Sequence, residues 1–219
     1  MKYVAIGEGT GELTEKKSRF IANAFEIHSQ DEAMDIIEAQ RKKYWDARHT
    51  CFAFVLGENS EVMRFSDDKE PQGTAGRPVL DVITGSDLTN ILIVVNRYFG
   101  GVLLGTGGLV RAYSGAARSV ISNMMQSGSI VPVISGKRIS FSADYRDIGR
   151  IDSLIIQSEA SVISKDYGEK AVYTIVLPSA RLDGFSKDAL EITNGAFTLS
   201  ECSDVTYAPV PGGAVLYRF

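Results

Sequence analysis

The period of the apolar positions changes along the chain, and each change predicts an element. Ile91-Leu92-Ile93-Val94-Val95 is an unbroken aliphatic run, the pattern of a strand covered on both faces. Downstream, Leu109, Tyr113, Ala116, Val120 and Met124 recur at helical spacing, and Gly128 supplies a stop. Upstream, Ser18–Ile27 reads as a strand. Ser29, with Glu32 three positions on, is a capping box opening a helix that runs to about Tyr44. Thr50–Leu56 and Glu61–Phe65 read as a hairpin through Gly57-Glu58-Asn59-Ser60. A polar loop from Ser66 to Gly76 then leads to Pro78, which starts a short helix over Val79–Ile83 that Gly85 ends.

A second pattern follows the boundary at Gly128-Ser129-Ile130-Val131-Pro132. Lys137–Ala143 alternates Ile139, Phe141 and Ala143 against Arg138, Ser140 and Ser142, a half-buried strand. Arg146–Gln157 carries Ile148, Ile151, Leu154 and Ile155 on one helical face. Ser161–Asp166 and Lys170–Leu177 read as strands, Arg181–Thr193 as a helix and Phe197–Tyr207 as a closing strand. Strand–helix–strand–strand–helix–strand is the split βαβ, ferredoxin-like plan. The expected fold class is therefore mixed α/β in two domains, residues 1–130 and 136–219. The second plan hosts many unrelated functions and carries no catalytic cluster here. Asp144 and Asp147 read as helix-start residues.

The chain has 219 residues, 44% apolar and 23% charged, enough for a proper core in an ordinary globular protein. Its opening, MKYVAIGEGTGEL, has no sustained apolar stretch, and no run approaches bilayer-spanning length, so no membrane partner is expected. Cys51 and Cys202 stand far apart and suggest no disulfide framework, which fits a reducing, cytoplasmic setting. Residues 1–135 carry 14 Lys+Arg against 16 Asp+Glu and residues 136–219 carry 9 against 11, so each part is −2 and the whole −4. Broad electrostatic adhesion to nucleic acid is disfavoured, which leaves local basic patches.

Candidate chemistry concentrates in NRYFGGVLLGTGGLVRAY, where Gly100, Gly101, Gly105, Gly107 and Gly108 fall within nine residues. They place a helix N-terminus near Arg97 and Arg111, a ready anion site. The bland reading is a tight turn in which glycine supplies positive φ and close packing. The segment lacks a P-loop ending and is a poor dinucleotide fingerprint, so no nucleotide cofactor is expected. Thr106 belongs to the same candidate anion or RNA site. Tyr98 and Tyr113, with Phe99, could stack on bases, core packing being the alternative for each.

Asp67, Asp68 and Glu70, with Thr74, form a second candidate. Such a loop can hold a divalent cation or act in acid–base chemistry, or it can be a solvated turn capped by Asp. Arg41-Lys42-Lys43 could touch phosphates, or could complement the helix C-terminus and face solvent. His49 and Cys51 share a strand face, but Cys51 sits in the apolar run Cys-Phe-Ala-Phe-Val and reads as a buried, unreactive thiol. With only His28 and His49 in the chain, a zinc site is not expected.

RYFGGVLLGTGGLVRAYSGAA, preceded by FSDDKEPQGTAGRPVLDV and DARHTCFAF, closely resembles the IMPACT family in its bacterial, YigZ-like form, over about Lys16 to Ile121. The family pattern in the acidic loop is Asp-Asp-Gly-Glu-Pro-Ser-Gly-Thr-Ala-Gly. This chain departs from it at Lys69 and Gln72, and Lys69 weakens that loop as a cation site. The resemblance implies a first domain like domain two of small-subunit ribosomal protein five and domain four of elongation factor G. It also implies a ferredoxin-like second domain like the end domains of elongation factor G. Eukaryotic relatives regulate translation by competing for the activator of the kinase that phosphorylates initiation factor two, a role that does not transfer to bacterial members.

Three functional readings follow. In the first, a translation-associated protein contacts RNA or the ribosome, with Arg97 and Arg111 on phosphates, the Gly105–Gly108 N–H groups at the helix end, and Tyr98 or Tyr113 stacking. In the second, an enzyme acts on a small phosphorylated or acidic metabolite with a divalent metal, provided the acidic loop approaches the glycine segment. The third is a protein-only adaptor working through the second domain's sheet.

Overall fold

A computed structural model describes residues 2–217, and the chain divides into two compact units at Val131/Pro132. In the first unit β1 (Tyr3–Ala5), β2 (Glu8–Glu15) and β3 (Ser18–Glu26) lead into α1 (Gln30–Lys43). Then come β4 (His49–Leu56), β5 (Val62–Ser66), α2 (Gly76–Gly85), β6 (Leu88–Thr89), β7 (Ile91–Tyr98), α3 (Gly105–Gln126) and β8 (Ile130–Pro132). The main sheet is antiparallel with order β2-β3-β7-β4-β5. A small sheet of order β6-β1-β8 stands beside it.

The central strand β7 is buried on both faces, as its aliphatic run predicts. Alternation then sorts the side chains. Cys51, Ala53 and Val55 of β4, with Ile91, Ile93 and Val95 of β7, pack with α2 and α3. Phe52, Phe54, Leu56, Leu92 and Val94 pack with Ala33 and Ile37 of α1 on the other face. The same register sets His49 directly opposite Arg97, both on the α2/α3 side at the strand ends.

Five first-unit elements differ from the sequence reading. Strand β2 escapes it because its residues, Glu-Gly-Thr-Gly-Glu-Leu-Thr-Glu, are poor strand formers. Its glycines serve packing: a Cβ at Gly11 would lie 2.5 Å from the Val120 backbone nitrogen, so α3 rests directly on the strand. Helix α2 starts at Gly76 rather than after Pro78, because Asp67 reaches in from the preceding loop. Its Oδ1 accepts from the N–H groups of Ala75 at 3.0 Å and Gly76 at 2.8 Å. Strands β1, β6 and β8 are too short to show a period.

The second unit comprises β9 (Ile134–Ala143), α4 (Ile148–Gln157), β10 (Ser161–Tyr167), β11 (Ala171–Pro178), α5 (Leu182–Ile192), β12 (Leu199–Val210) and β13 (Gly213–Tyr217). Its sheet order is β10-β11-β9-β12-β13. Phe141 stacks on Tyr173 at 5.2 Å and meets Phe185 and Phe197 in the core beneath α4 and α5. The strand–helix–strand–strand–helix–strand sequence is present, and β13 adds a fifth strand by a hairpin turning at Gly212, whose φ is +82°. Asp147 does stand at the start of α4, but its carboxylate pairs with Arg150 at 2.5 Å instead of capping the helix. Among the described residues no helix is long and apolar enough to cross a membrane.

The chain leaves β7 under a tight constraint. A Cβ at Gly100 would fall 2.0 Å from the carbonyl carbon of Lys17, in the β2–β3 turn, and the Gly100 N–H donates to Ser18 Oγ at 3.1 Å. Gly100→Ala is expected to cost about 1–3 kcal/mol in urea unfolding, the range for overpacking. Gly85→Ala, where a Cβ meets open space, is the matched control.

Candidate functional site

The acidic loop and the glycine segment meet at a cavity of about 370 Å³ in the first unit. Arg48 just before β4 and His49 at its start, Lys69, Glu70 and Pro71 from the acidic loop, and Arg97 from β7 line one part of it. Phe99, Leu103, Leu104, Gly105, Thr106 and Leu109 line the rest.

Its floor is a buried polar cluster built on Glu70. One carboxylate oxygen, Oε1, accepts from Arg97 Nη1 at 2.5 Å and from the Tyr113 hydroxyl at 2.9 Å, and lies 3.8 Å from His49 Nε2. His49 Nδ1 is 2.8 Å from the Asp68 carbonyl oxygen. A carbonyl only accepts, so Nδ1 carries the proton and Nε2 faces Glu70. Cys51 Sγ sits 3.1 Å from the Asp67 carbonyl oxygen and 3.4 Å from the Tyr113 hydroxyl. Burial pushes both the Cys51 thiol and the Tyr113 phenol far above their ordinary ranges, so both stay protonated. Cys51 is the inert thiol its sequence setting predicts.

The remainder of the cavity is open and cationic. Arg48 and Lys69 are exposed, and among the described residues Glu70 is the only acidic side chain in the lining. Helix α3 begins at Gly105, with φ +71°, and no side chain caps it, whereas α1 is capped by Ser29 Oγ at 3.1 Å from the Glu32 nitrogen. Leu103, at 83% exposure, forms an apolar lip beside Phe99, over which the Arg48 guanidinium lies at 5.0 Å.

Of the residues singled out in the glycine segment, Arg97, Gly105 and Thr106 line the cavity. Arg97 is no exposed clamp, since it is buried and spent on Glu70, although Nη1 alone among its nitrogens bonds a protein partner. Tyr113 cannot stack on a base, because it is wholly buried and packs edge-on to Phe20 at 5.1 Å. Tyr98 turns its hydroxyl to Asp46 at 2.8 Å. Gly100 and Gly101 shape the turn, Gly101 with φ +84°, and Gly107 and Gly108 lie in the first turn of α3. Arg111 is exposed outside the cavity, its Nη1 3.6 Å from where a Gly107 Cβ would be.

The acidic loop does not gather its carboxylates. Asp67 accepts from the Gly73, Ala75 and Gly76 N–H groups, Asp68 Oδ2 from the Thr50 N–H at 2.6 Å, and Glu70 turns to Arg97. Thr74 is buried and donates to the Pro71 carbonyl at 2.6 Å. The loop needs its carboxylates to satisfy backbone donors, so they diverge, and no metal-holding group of three occurs among the described residues. The Arg41-Lys42-Lys43 run is exposed at the end of α1. Arg48 is what sequence reasoning missed, and Lys69 entered it only as a departure that weakens a cation site, because lone basic residues outside regular elements carry no pattern.

Fold and site together define a two-unit α/β protein whose first unit holds a cation-rimmed cavity at an uncapped helix start. The Impact N-terminal domain family matches residues 16–121, and a domain of unknown function, DUF1949, matches residues 141–196. The chain is 34% identical over 199 residues to IMPACT family member YvyE of Bacillus subtilis, covering 91% of this chain and 89% of that one. It is 35% identical over 186 residues to IMPACT family member YigZ of Escherichia coli, covering 84% and 89%. A crystal structure of a hypothetical protein aligns with TM-score 0.54 and 32% identity over 90% of this chain and 95% of its own. The chain belongs to the IMPACT family.

Removing one member of the floor strands the other. Arg97→Met is expected to lower stability by about 3–5 kcal/mol, the cost of an unpaired buried charge. Arg97→Met with Glu70→Leu should recover most of that loss, since an apolar pair of similar volume replaces a buried ion pair at little cost. Urea unfolding of the two variants checks this.

Proposed function

We propose that this protein is a translation-associated regulator whose first unit binds RNA through backbone phosphates at the cavity mouth. The observation that supports it most is the uncapped start of α3 opening beside exposed Arg48 and Lys69, with Glu70, the one acid of the lining, neutralised by Arg97. A phosphate there would accept from the Gly105–Gly108 N–H groups and the Thr106 hydroxyl, satisfying donors the helix leaves free. Arg111, exposed one turn into α3, would meet a neighbouring phosphate. Family membership supports the translation setting, through the eukaryotic members that the resemblance brings in. The strand order β10-β11-β9-β12 supports a ferredoxin-like reading of the second unit.

A second reading is favoured by one observation, the meeting of the acidic loop and the glycine segment in one cavity. In it a small phosphorylated or acidic metabolite fills the cavity. Glu70 Oε2, which carries no hydrogen bond, and His49 Nε2 would move a proton, with no metal required.

Fluorescence anisotropy of single-stranded RNA across a potassium chloride series tests the first reading. About three phosphate contacts give a log–log salt slope near −2. The Arg48→Ala, Lys69→Ala, Arg111→Ala triple variant should lose binding and flatten the slope. A triple variant that binds like the parent with the same slope sinks the RNA placement. Thermal stabilisation by phosphorylated metabolites but not by RNA would select the second reading.

A further inference from the structure

Two side chains in the floor of the first cavity each keep an unused hydrogen-bonding atom. Glu70 and Arg97 both line it, with 4% and 6% of their side chains exposed, and they meet through Glu70 Oε1 and Arg97 Nη1 at 2.5 Å. Oε1 also accepts from the Tyr113 hydroxyl, whereas Glu70 Oε2 accepts from no group among the described residues. Arg97 Nη2 likewise donates to none of them. Unlike Arg97 Nε, which is sealed from solvent, both atoms keep accessible surface. A buried ion pair is stable when its remaining lone pairs and protons are satisfied, and here some of each are left open to the cavity.

What can occupy that floor follows from the two atoms. Oε2 of a carboxylate paired with a guanidinium only accepts, and Nη2 only donates. A phosphate oxygen cannot donate to Oε2 and is repelled by it, so the floor does not take the anion. A hydroxyl both donates and accepts, and can answer both atoms at once. The same lining holds the groups that suit an anion, Arg48, Lys69, Thr106 and the start of α3 at Gly105. A peptide amide offers a donor and an acceptor but no anion. A ligand with a hydroxyl a few bonds from a phosphate offers all three. In a nucleic acid that hydroxyl is the ribose 2′-OH, the group by which a protein tells RNA from DNA. The cavity volume, about 370 Å³, lies within the range of small-ligand cavities, about 300–1,000 Å³.

We propose that the first cavity reads the ribose 2′-hydroxyl of RNA, which donates to Glu70 Oε2 and accepts from Arg97 Nη2 while the adjacent phosphate lies at the start of α3. This rests on the RNA reading above and adds a sugar specificity to it. DNA would fill the phosphate contacts and leave both floor atoms unpaired. A site built to hydrogen-bond a hydroxyl rejects the analogue without it for that reason.

The test is fluorescence anisotropy with one labelled single-stranded sequence prepared as RNA, as DNA and as 2′-fluoro RNA, at fixed potassium chloride. The 2′-fluoro form keeps the sugar pucker of RNA and lacks the hydroxyl proton. RNA is expected to bind at least about tenfold more tightly than either, the worth of a hydrogen bond to a charged group. The Arg97→Met, Glu70→Leu double variant, shown by its melting curve to be folded, should bind RNA no better than the parent binds DNA. Equal affinity of the parent for RNA and DNA overturns the hydroxyl reading and leaves the phosphate contacts standing. Equal binding of RNA and 2′-fluoro RNA overturns it too, since the pucker is then what is read. A folded double variant that keeps the RNA preference overturns its placement on Glu70 and Arg97. If no form binds, the RNA reading itself fails and this inference with it. The oligonucleotide series uses the unaltered protein, so it decides even if the double variant does not fold.

Discussion

A carboxylate removed from water must be matched by donors that come with it, and Glu70 is where this chain meets that requirement. Its Oε1 gathers Arg97 from the central strand and Tyr113 from α3, with His49 alongside from β4. The acidic loop is therefore pinned to three separate elements through one oxygen. The pinning is reciprocal, since among the described residues Arg97 pairs with no other carboxylate. Tyr113 adds an apolar anchor, with the edge-on Phe20 contact contributing about 0.5–1.5 kcal/mol beyond area. With the loop so fixed, Lys69 and Pro71 have only one place to go, the wall of the cavity.

The register of β4 against β7 decides everything further out. His49 opposite Arg97 sends both to the α2/α3 side, while Thr50 opposite Asn96 sends that pair to the α1 side, where Thr50 donates to Asn96 Oδ1 at 3.0 Å. A slip of one residue would exchange the two sets and put Arg97 on the α1 side, away from Glu70. The same alternation, carried through β3, places Phe25 beneath α1 and Phe20 beneath α3. One sheet thus separates a cation-rimmed cavity on one face from an acid-rimmed cavity on the other. Opposite charges are kept apart by a period of two.

Much of this was legible in the sequence, for identifiable reasons. Long periodic segments announce themselves, so β7, α3, α1 and the second unit's strand and helix order follow from spacing and caps. Strand β2 does not, because its glycines answer to the approach of α3, a tertiary demand invisible in local pattern. The start of α2 was misread for a related reason: its cap, Asp67, comes from eight or nine residues away. In the site, residue type was a fair guide to importance and a poor guide to role. Arg97, Tyr113 and the acidic loop all belong to one cluster, yet they serve each other before any ligand. Their charges cancel in pairs, and pairing between distant residues has no signature in one chain.

The two ends of α1 and α3 show what is left over once those internal demands are met. Helix α1 opens with Ser29 as acceptor and Glu32 reaching back, so its first donors are matched from within. Helix α3 opens with Gly105, Thr106, Gly107 and Gly108, and no side chain accepts from its first N–H groups. Glycine at helical positions costs about 1 kcal/mol each relative to alanine, and a missing cap costs about as much again. Close packing accounts for Gly108, whose Cβ would meet Leu104 Cβ at 3.0 Å, but nothing in the fold crowds Gly107 beyond the movable Arg111 side chain at 3.6 Å. A helix start that is weak, bare and unobstructed is poorly suited to stability alone. In the proposed function it takes, beside Arg48 and Lys69, an anion brought from outside, whose oxygens would supply the missing cap and whose approach a β-carbon at Gly107 would hinder.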